Sequence, residues 1–254
     1  NAPLSVTAGK RLVKLAADNM IRTTMELGGH APVLIFDDCD LDKTLDMVVA
    51  GKFRNAGQVC ISPTRFYVQQ GIYDRFVEGF AARTKKVAVG SGLTDGTTMG
   101  PLANPRRPES VGAMIDNAKQ AGARVLAGGE PVEGNGGGFF YQPTLLADVP
   151  LEARIMNDEP FGPVALARPF DTLDEAIEQA NRLPYGLAAY CFTENGRRAL
   201  ILSDAIEAGM VGINTLGLSA VDSPFGGVKE SGHGHEDGPE GLKSFMVAKT
   251  IHQQ

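Results

Sequence analysis

Cys60 closes the run Asn55-Ala56-Gly57-Gln58-Val59-Cys60, and Glu26 stands upstream in Met25-Glu26-Leu27-Gly28-Gly29. A thiol reached through a polar, glycine-containing turn and a carboxylate placed before two glycines are the parts of an activated nucleophile and its base, since glycine permits close backbone approach. Cys60 precedes Ile61-Ser62-Pro63, a setting in which the thiol would sit exposed beside backbone N–H groups that stabilise thiolate and oxyanion alike. The plainer alternative is a buried small hydrophobe. Glu26, between Met25 and Leu27, would be partly desolvated, which raises its pKa and makes it a usable base near neutral pH. The alternative is a solvated glutamate at a strand end.

Two more runs carry chemistry. Glu159-Pro160-Phe161-Gly162-Pro163 fixes a rigid turn that presents a carboxylate beside an aromatic ring. Dinucleotide sites use such groups on ribose hydroxyls and nicotinamide, and a plain β-turn is the alternative. Pro224-Phe225-Gly226-Gly227-Val228-Lys229-Glu230-Ser231-Gly232, continued by Gly234, Glu236 and Gly238, is glycine-rich but matches neither a P-loop nor the usual dinucleotide fingerprint.

The elements that must hold these residues alternate. Strand-like runs at 32–36, 65–68, 164–168, 188–192 and 210–214 are interleaved with helix-like runs at 41–53, 73–87, 110–121, 173–182 and 197–207. That alternation predicts an α/β domain with a largely parallel sheet flanked by helices. Thr172 and Glu175 have capping-box spacing at one helix start. A helix over 8–19, followed by an apolar segment at 23–27 with no strand before it, reads as the end of a larger sheet's last βα unit. Residues 128–138, with six glycines, read as a surface loop or hairpin tip.

Composition narrows the partners. A chain of 254 residues with net charge −6 and pI near 5.3, its lysines and arginines scattered among acids, argues against nucleic acid or an anionic membrane and for a small molecule. Three irregularly spaced cysteines suggest neither a disulfide framework nor structural zinc, and fit a reducing cytoplasm. No apolar run reaches the length of about 20 residues that spans a bilayer, and no export signal opens the chain. His233 and His235 have no further ligands near them in sequence, so no metal is expected.

Taken together and in order, Glu-Leu-Gly-Gly, Gly-Gln-x-Cys, Glu-Pro-Phe-Gly-Pro and Pro-Phe-Gly-Gly-x-Lys-x-Ser-Gly make the chain resemble the aldehyde dehydrogenase superfamily from Ser5 to its end. The resemblance implies that Cys60 attacks an aldehyde, a hydride passes to NAD or NADP, and water activated by Glu26 hydrolyses the thioester. It implies that Glu159 binds the nicotinamide ribose with Phe161 and Leu27 beside it, that Ser5 and Gly9 end a phosphate turn, and that Glu236 serves in proton relay. Complete members are roughly twice as long, so the chain resembles a carboxyl-terminal, catalytic half. Residues 1–28 would then be the remnant of the dinucleotide-binding domain, 29–240 the catalytic domain, and 241–254 an oligomerisation segment. Its stretch 244–251 alternates like a strand that joins a neighbouring subunit. Residues 1–4 replace the usual lead-in to Ser5 and read as a truncation point or vector remnant.

Substrate class rests on Arg54 and Ser219, which match positions that succinate semialdehyde dehydrogenases use to hold the substrate carboxylate. A guanidinium paired with a hydroxyl suits that anion, although Arg54 would also serve as a helix carboxyl-terminal cap. Ser62 stands where some of those enzymes carry a second cysteine, so no redox disulfide is expected. His30 and His235 depart from the commoner residues without touching the core chemistry. The alternatives are a dehydrogenase of another small aldehyde, such as a glutarate, oxoglutarate or glycolaldehyde type, and a non-catalytic fragment that self-associates. A thiol hydrolase would want a histidine related to Cys60, and none is recognisable.

Overall fold

The computed structural model describes residues 5–132 and 137–254. Helix α1 (Val6–Ala17) starts where the Ser5 hydroxyl accepts from the Ala8 N–H at 3.2 Å, and the short strand β1 (Met25–Glu26) follows. Next come β2 (Pro32–Ile35), α2 (Leu41–Phe53), β3 (Arg65–Gln69), α3 (Tyr73–Thr84), α4 (Arg106–Gln120), β4 (Arg124–Ala127), β5 (Thr144–Ala147) and β6 (Val164–Phe170). The chain continues through α5 (Leu173–Asn181), β7 (Tyr185–Gly186), β8 (Ala188–Phe192), α6 (Gly196–Ala205), β9 (Met210–Ile213), β10 (Val228–Lys229), β11 (Gly232–His233) and α7 (Gly238–Lys243).

Seven strands form the main sheet in the order β4-β5-β6-β3-β2-β8-β9. Every neighbouring pair is parallel except β4 with β5. β2, β5 and β8 are buried at every position, as strands covered on both faces must be, and their uninterrupted apolar runs follow from it. Phe66 of β3 meets Phe80 of α3 edge-on at 5.2 Å, and Phe53 of α2 meets Phe80 at 6.2 Å. These rings lock α2 and α3 onto the sheet. The fold expected from the sequence is therefore the fold observed.

One fully buried cation ties the entry of β2 to this frame. Arg65 donates from Nε to the His30 carbonyl at 2.7 Å, and from its other nitrogens to the Tyr67 hydroxyl and the carbonyls of Gln179 and Ala180, each at 3.1 Å. The last two carbonyls belong to the final turn of α5, where helical partners run out and a guanidinium is favoured. Gly28 and Gly29, just before His30, are thereby fixed in place.

Boundaries differ where local chemistry overrides period. α4 begins four residues before the expected 110, because Pro108 falls in its first turn, where a missing N–H breaks no bond. α3 stops at Thr84 rather than 87, since Lys85 to Val87 tighten into a turn with bonds back to the carbonyls of Ala81, Arg83 and Thr84. β4 and β5, four residues each, escaped the reading. The glycine loop of 128–138 joins this antiparallel pair, with Pro131 bridged to Tyr141; its residues 133–136 lie outside the described ones, as does the lead-in 1–4. The expected strand at 244–251 is not formed: the stretch is irregular, with Phe245, Val247 and Ile251 exposed. A strand needs a partner edge, and no described residue pairs with this one. Thr172 does cap α5 at the Glu175 N–H, and Glu175 reaches back to the Asp171 N–H.

Candidate active site

The turn that leads to Cys60 is built from backbone in an unusual conformation. After α2, Asn55, Ala56 and Gly57 have φ of 50°, 53° and 68°, three successive left-handed residues. The first two cost roughly 1–2 kcal/mol each as L-residues. Side chains brace the turn: Asn55 donates to the Gln58 carbonyl at 3.0 Å and Gln58 to the Asn55 carbonyl at 3.1 Å. Gln58 also accepts from the Ala103 N–H at 2.9 Å, which anchors the turn to the segment leading into α4. Gly57 has to be glycine twice over, because a Cβ there would also overlap the carbonyl of Gly162. The Cys60 turn and the Glu159 turn thus touch main chain to main chain.

Gly28 and Gly29 do the same work from the other side. A Cβ on Gly28 would overlap the Glu159 carboxylate, and one on Gly29 would lie 2.6 Å from the Cys60 carbonyl. The Gly29 N–H donates to Glu159 at 3.2 Å. Cys60 and Glu159 are drawn together through this glycine pair, which follows Glu26 by two residues.

Electrostatics assigns each group a state. Glu26 is half-buried, and both carboxylate oxygens lack a hydrogen-bond partner among the described residues. Burial first, and the charge of Glu236 second, push its pKa up to about 7, the direction expected of a partly desolvated carboxylate. Cys60 corrects its expectation. Its thiol is half-buried, and burial together with the Glu159 charge pushes its pKa above the ordinary value; the N–H groups of Ile61 and Cys60 pull the other way and lose. Glu26 adds a smaller push on Cys60, which places the two within electrostatic reach. Glu159 is raised to about 7 by burial, against the Gly29 hydrogen bond and the cations Lys52 and Arg107.

The remaining predicted residues fall as follows. Ser5 caps α1, and Gly9 within that helix packs on Leu27, whose N–H donates to the Ser231 carbonyl at 2.9 Å. Glu236 is exposed, its backbone paired both ways with Phe225 at 2.7 Å, and a Cβ on nearby Gly226 would lie 3.4 Å from a Glu26 oxygen. Phe161 is half-buried with φ of 40°. Arg54 caps the carboxyl end of α2 and is exposed, so both readings of it survive. Ser219 is exposed on the loop after β9, whose Leu216 packs against Gly51 of α2. That loop lies beside the helix at whose end Arg54 stands.

Three residues went unnoticed in the sequence. Lys52 is buried, donates to the hydroxyls of Ser62 at 3.1 Å and Thr64 at 3.3 Å, and is held down to about 7 by burial. It ties the chain after Cys60 to α2. Its place on the buried stripe of Leu45, Val48 and Val49 was the available signal. Tyr190 of β8 donates to the Ile61 carbonyl at 2.6 Å, and Arg107 of α4 grips the Glu159 turn; neither has a local signature. Among the described residues no group of three or more His, Cys, Asp or Glu could hold a metal, and no helix is long and apolar enough to cross a membrane.

Residues 5–251 match the family described as the Aldehyde dehydrogenase family. The chain is 48% identical over 248 residues to 4-(hydroxymethyl)benzenesulfonate dehydrogenase from Comamonas testosteroni, covering 98% of this chain and 51% of that protein. It is 42% identical to the NADP(+) succinate-semialdehyde dehydrogenase of Escherichia coli K12, covering 97% and 51%. A crystal structure of betaine aldehyde dehydrogenase from Staphylococcus aureus in complex with NAD+ superposes with a TM-score of 0.93 at 35% identity, over 96% of this chain and 50% of that one. The chain therefore spans about half the length of the relatives it matches.

Proposed function

The chain belongs to the aldehyde dehydrogenase family, and from that premise we propose that the whole protein oxidises an aldehyde bearing a remote anionic group, such as succinic semialdehyde, to its acid. Cys60 is the nucleophile and Glu26 the base. The observation that carries the reading is Glu26 itself: a half-buried carboxylate near pKa 7 whose oxygens have no hydrogen-bond partner among the described residues, within electrostatic reach of the Cys60 thiol. The raised thiol stays protonated until a base takes its proton. Sulfur then adds to the aldehyde carbon. A nicotinamide cofactor, held by Glu159, would supply the acceptor for the hydride lost from that carbon. Glu26 takes a proton from water as the oxygen attacks the thioester, the C–S bond breaks, and the acid leaves with Cys60 restored.

The residues present fit NAD or NADP on its nicotinamide side. Glu159 offers a carboxylate to ribose hydroxyls beside the opening left by Gly28, Phe161 and Leu27 border it, and Ser5 and Gly9 mark the amino terminus of α1, where a phosphate is favoured. The relay role of Glu236 is supported by the push of its charge on Glu26. Residues 1–28 complete the cofactor domain of the longer protein, 29–240 form the catalytic domain, and 241–254, with exposed Phe245, Val247 and Ile251, join subunits of a homo-oligomer. Three free cysteines suit the reducing cytoplasm.

An anionic substrate is supported by the names of the relatives, a 4-(hydroxymethyl)benzenesulfonate dehydrogenase and a succinate-semialdehyde dehydrogenase, and by the Ser219 loop packing on α2, the helix that ends at Arg54. The test measures dinucleotide reduction by the full-length protein on succinic semialdehyde and on an uncharged aldehyde of equal length. Arg54→Leu should lower kcat/KM for the anionic aldehyde about tenfold, about 1.4 kcal/mol, and spare the uncharged one. Equal losses on both discard the pocket, and activity that survives Cys60→Ser discards the mechanism.

A further inference from the structure

Arg107 stands in the first turn of α4. One of its terminal nitrogens donates to the Pro160 carbonyl and to the Phe161 carbonyl, the latter at 2.9 Å. Its guanidinium lies 6.0 Å from the centre of the Phe161 ring. Phe161 has φ of 40°, a conformation that a bulky residue holds only when its surroundings insist. The same stretch of chain grips the neighbouring strained turn as well, through the Ala103 N–H on Gln58. Residues 101–107 therefore bracket both turns of the site, and Arg107 is the half that meets the Glu159 side.

We propose that Arg107 is a positioning residue that locks the Glu159-Pro160-Phe161 turn in its strained form, and so presets the carboxylate and ring that receive the dinucleotide. This rests on the reading of Glu159 as the ribose carboxylate. Two successive carbonyls drawn onto one nitrogen of a cation leave the turn little freedom, and the ring facing the guanidinium at 6.0 Å adds a second, weaker hold on Phe161. A lysine keeps the charge and a nitrogen that can donate twice, but lacks the guanidinium plane beside the Phe161 ring, so it replaces the grip only in part.

The full-length protein provides the test, with NAD+ and NADP+ binding measured by titration calorimetry and Cys60 reactivity by iodoacetamide alkylation without cofactor. Arg107→Met should weaken dinucleotide binding about tenfold and Arg107→Lys by an intermediate factor, while Cys60 alkylation stays within about twofold. In a Phe161→Asn background, where the residue tolerates a left-handed φ, Arg107→Met should cost less than about threefold. If Glu159→Gln weakens binding and Arg107→Met does not, the positioning role is overturned and the ribose reading stands. If neither weakens it, the ribose reading fails and takes this inference with it. A parallel loss of binding and alkylation in both Arg107 variants makes the residue merely structural and overturns the proposal. Should Arg107→Met not fold, Arg107→Lys decides alone, and parent-like affinity overturns it.

Discussion

Replacing Glu26 by glutamine should stabilise the chain, and only above a definable pH. In the folded chain Glu26 holds its proton up to about pH 7 against an ordinary value of 4.5. Between those values the unfolded chain has already released the proton and the folded chain has not. The unfolding free energy therefore falls as pH rises through this window and is level above it. The interval between 4.5 and about 7, at about 1.4 kcal/mol for each pH unit, sets a ceiling of about 3 kcal/mol. The side chain is only half-buried, so solvent screening brings the expected figure to about 1.5 kcal/mol. Glutamine keeps the shape and cannot ionise. Urea unfolding of the two chains side by side at pH 5, 6, 7 and 8 measures the difference. Near-equal stability at pH 5 and a glutamine advantage of about 1–2 kcal/mol at pH 8 are expected. A difference that does not change with pH, or one that favours glutamate at pH 8, refutes the burial argument and with it the physical ground for Glu26 as base.

Three further outcomes follow from packing and charge. Gly57→Ala brings a Cβ onto the Gly162 carbonyl at a φ of 68°, and should lower the unfolding free energy by about 2 kcal/mol or more, read as a drop in urea midpoint. Arg65→Met strips four acceptors of their donor in the interior and should cost about 3 kcal/mol or more; a midpoint unchanged by it would mean those carbonyls find other partners. Glu159→Gln removes the main charge that pushes the Cys60 thiol up, so the inflection of iodoacetamide alkylation against pH should move down. An inflection that stays put assigns the push to burial alone.

Motifs and periods made much of this molecule readable in advance. The apolar runs of β2, β3, β6, β8 and β9 marked five of the seven main strands, since strands covered on both faces need uninterrupted apolar sequence. β4 and β5 were missed because four residues beside a glycine-rich loop carry too little pattern, and their pairing is decided by distant neighbours. The glycine pair at 28 and 29 betrayed close approach, and the Met-Glu-Leu setting of Glu26 betrayed desolvation. The state of Cys60 was misjudged for a nonlocal reason: burial in the assembled fold raises it first, and the carboxylate that adds to the push, Glu159, lies almost a hundred positions away. Arg107 and Tyr190 were illegible for the same cause, each acting on a backbone carbonyl that has no residue-type signature. Lys52 was legible, standing on the buried stripe of α2 with the wrong chemistry for its neighbours.

The contact between Gly57 and Gly162 is made of main chain on both sides. Truncating side chains one at a time leaves such a contact intact, so an alanine survey that skips the glycines would report the thiol turn and the carboxylate turn as independent. Their backbones meet with no side chain between them, so a loop transplanted into this frame has to keep a residue without a Cβ at position 57.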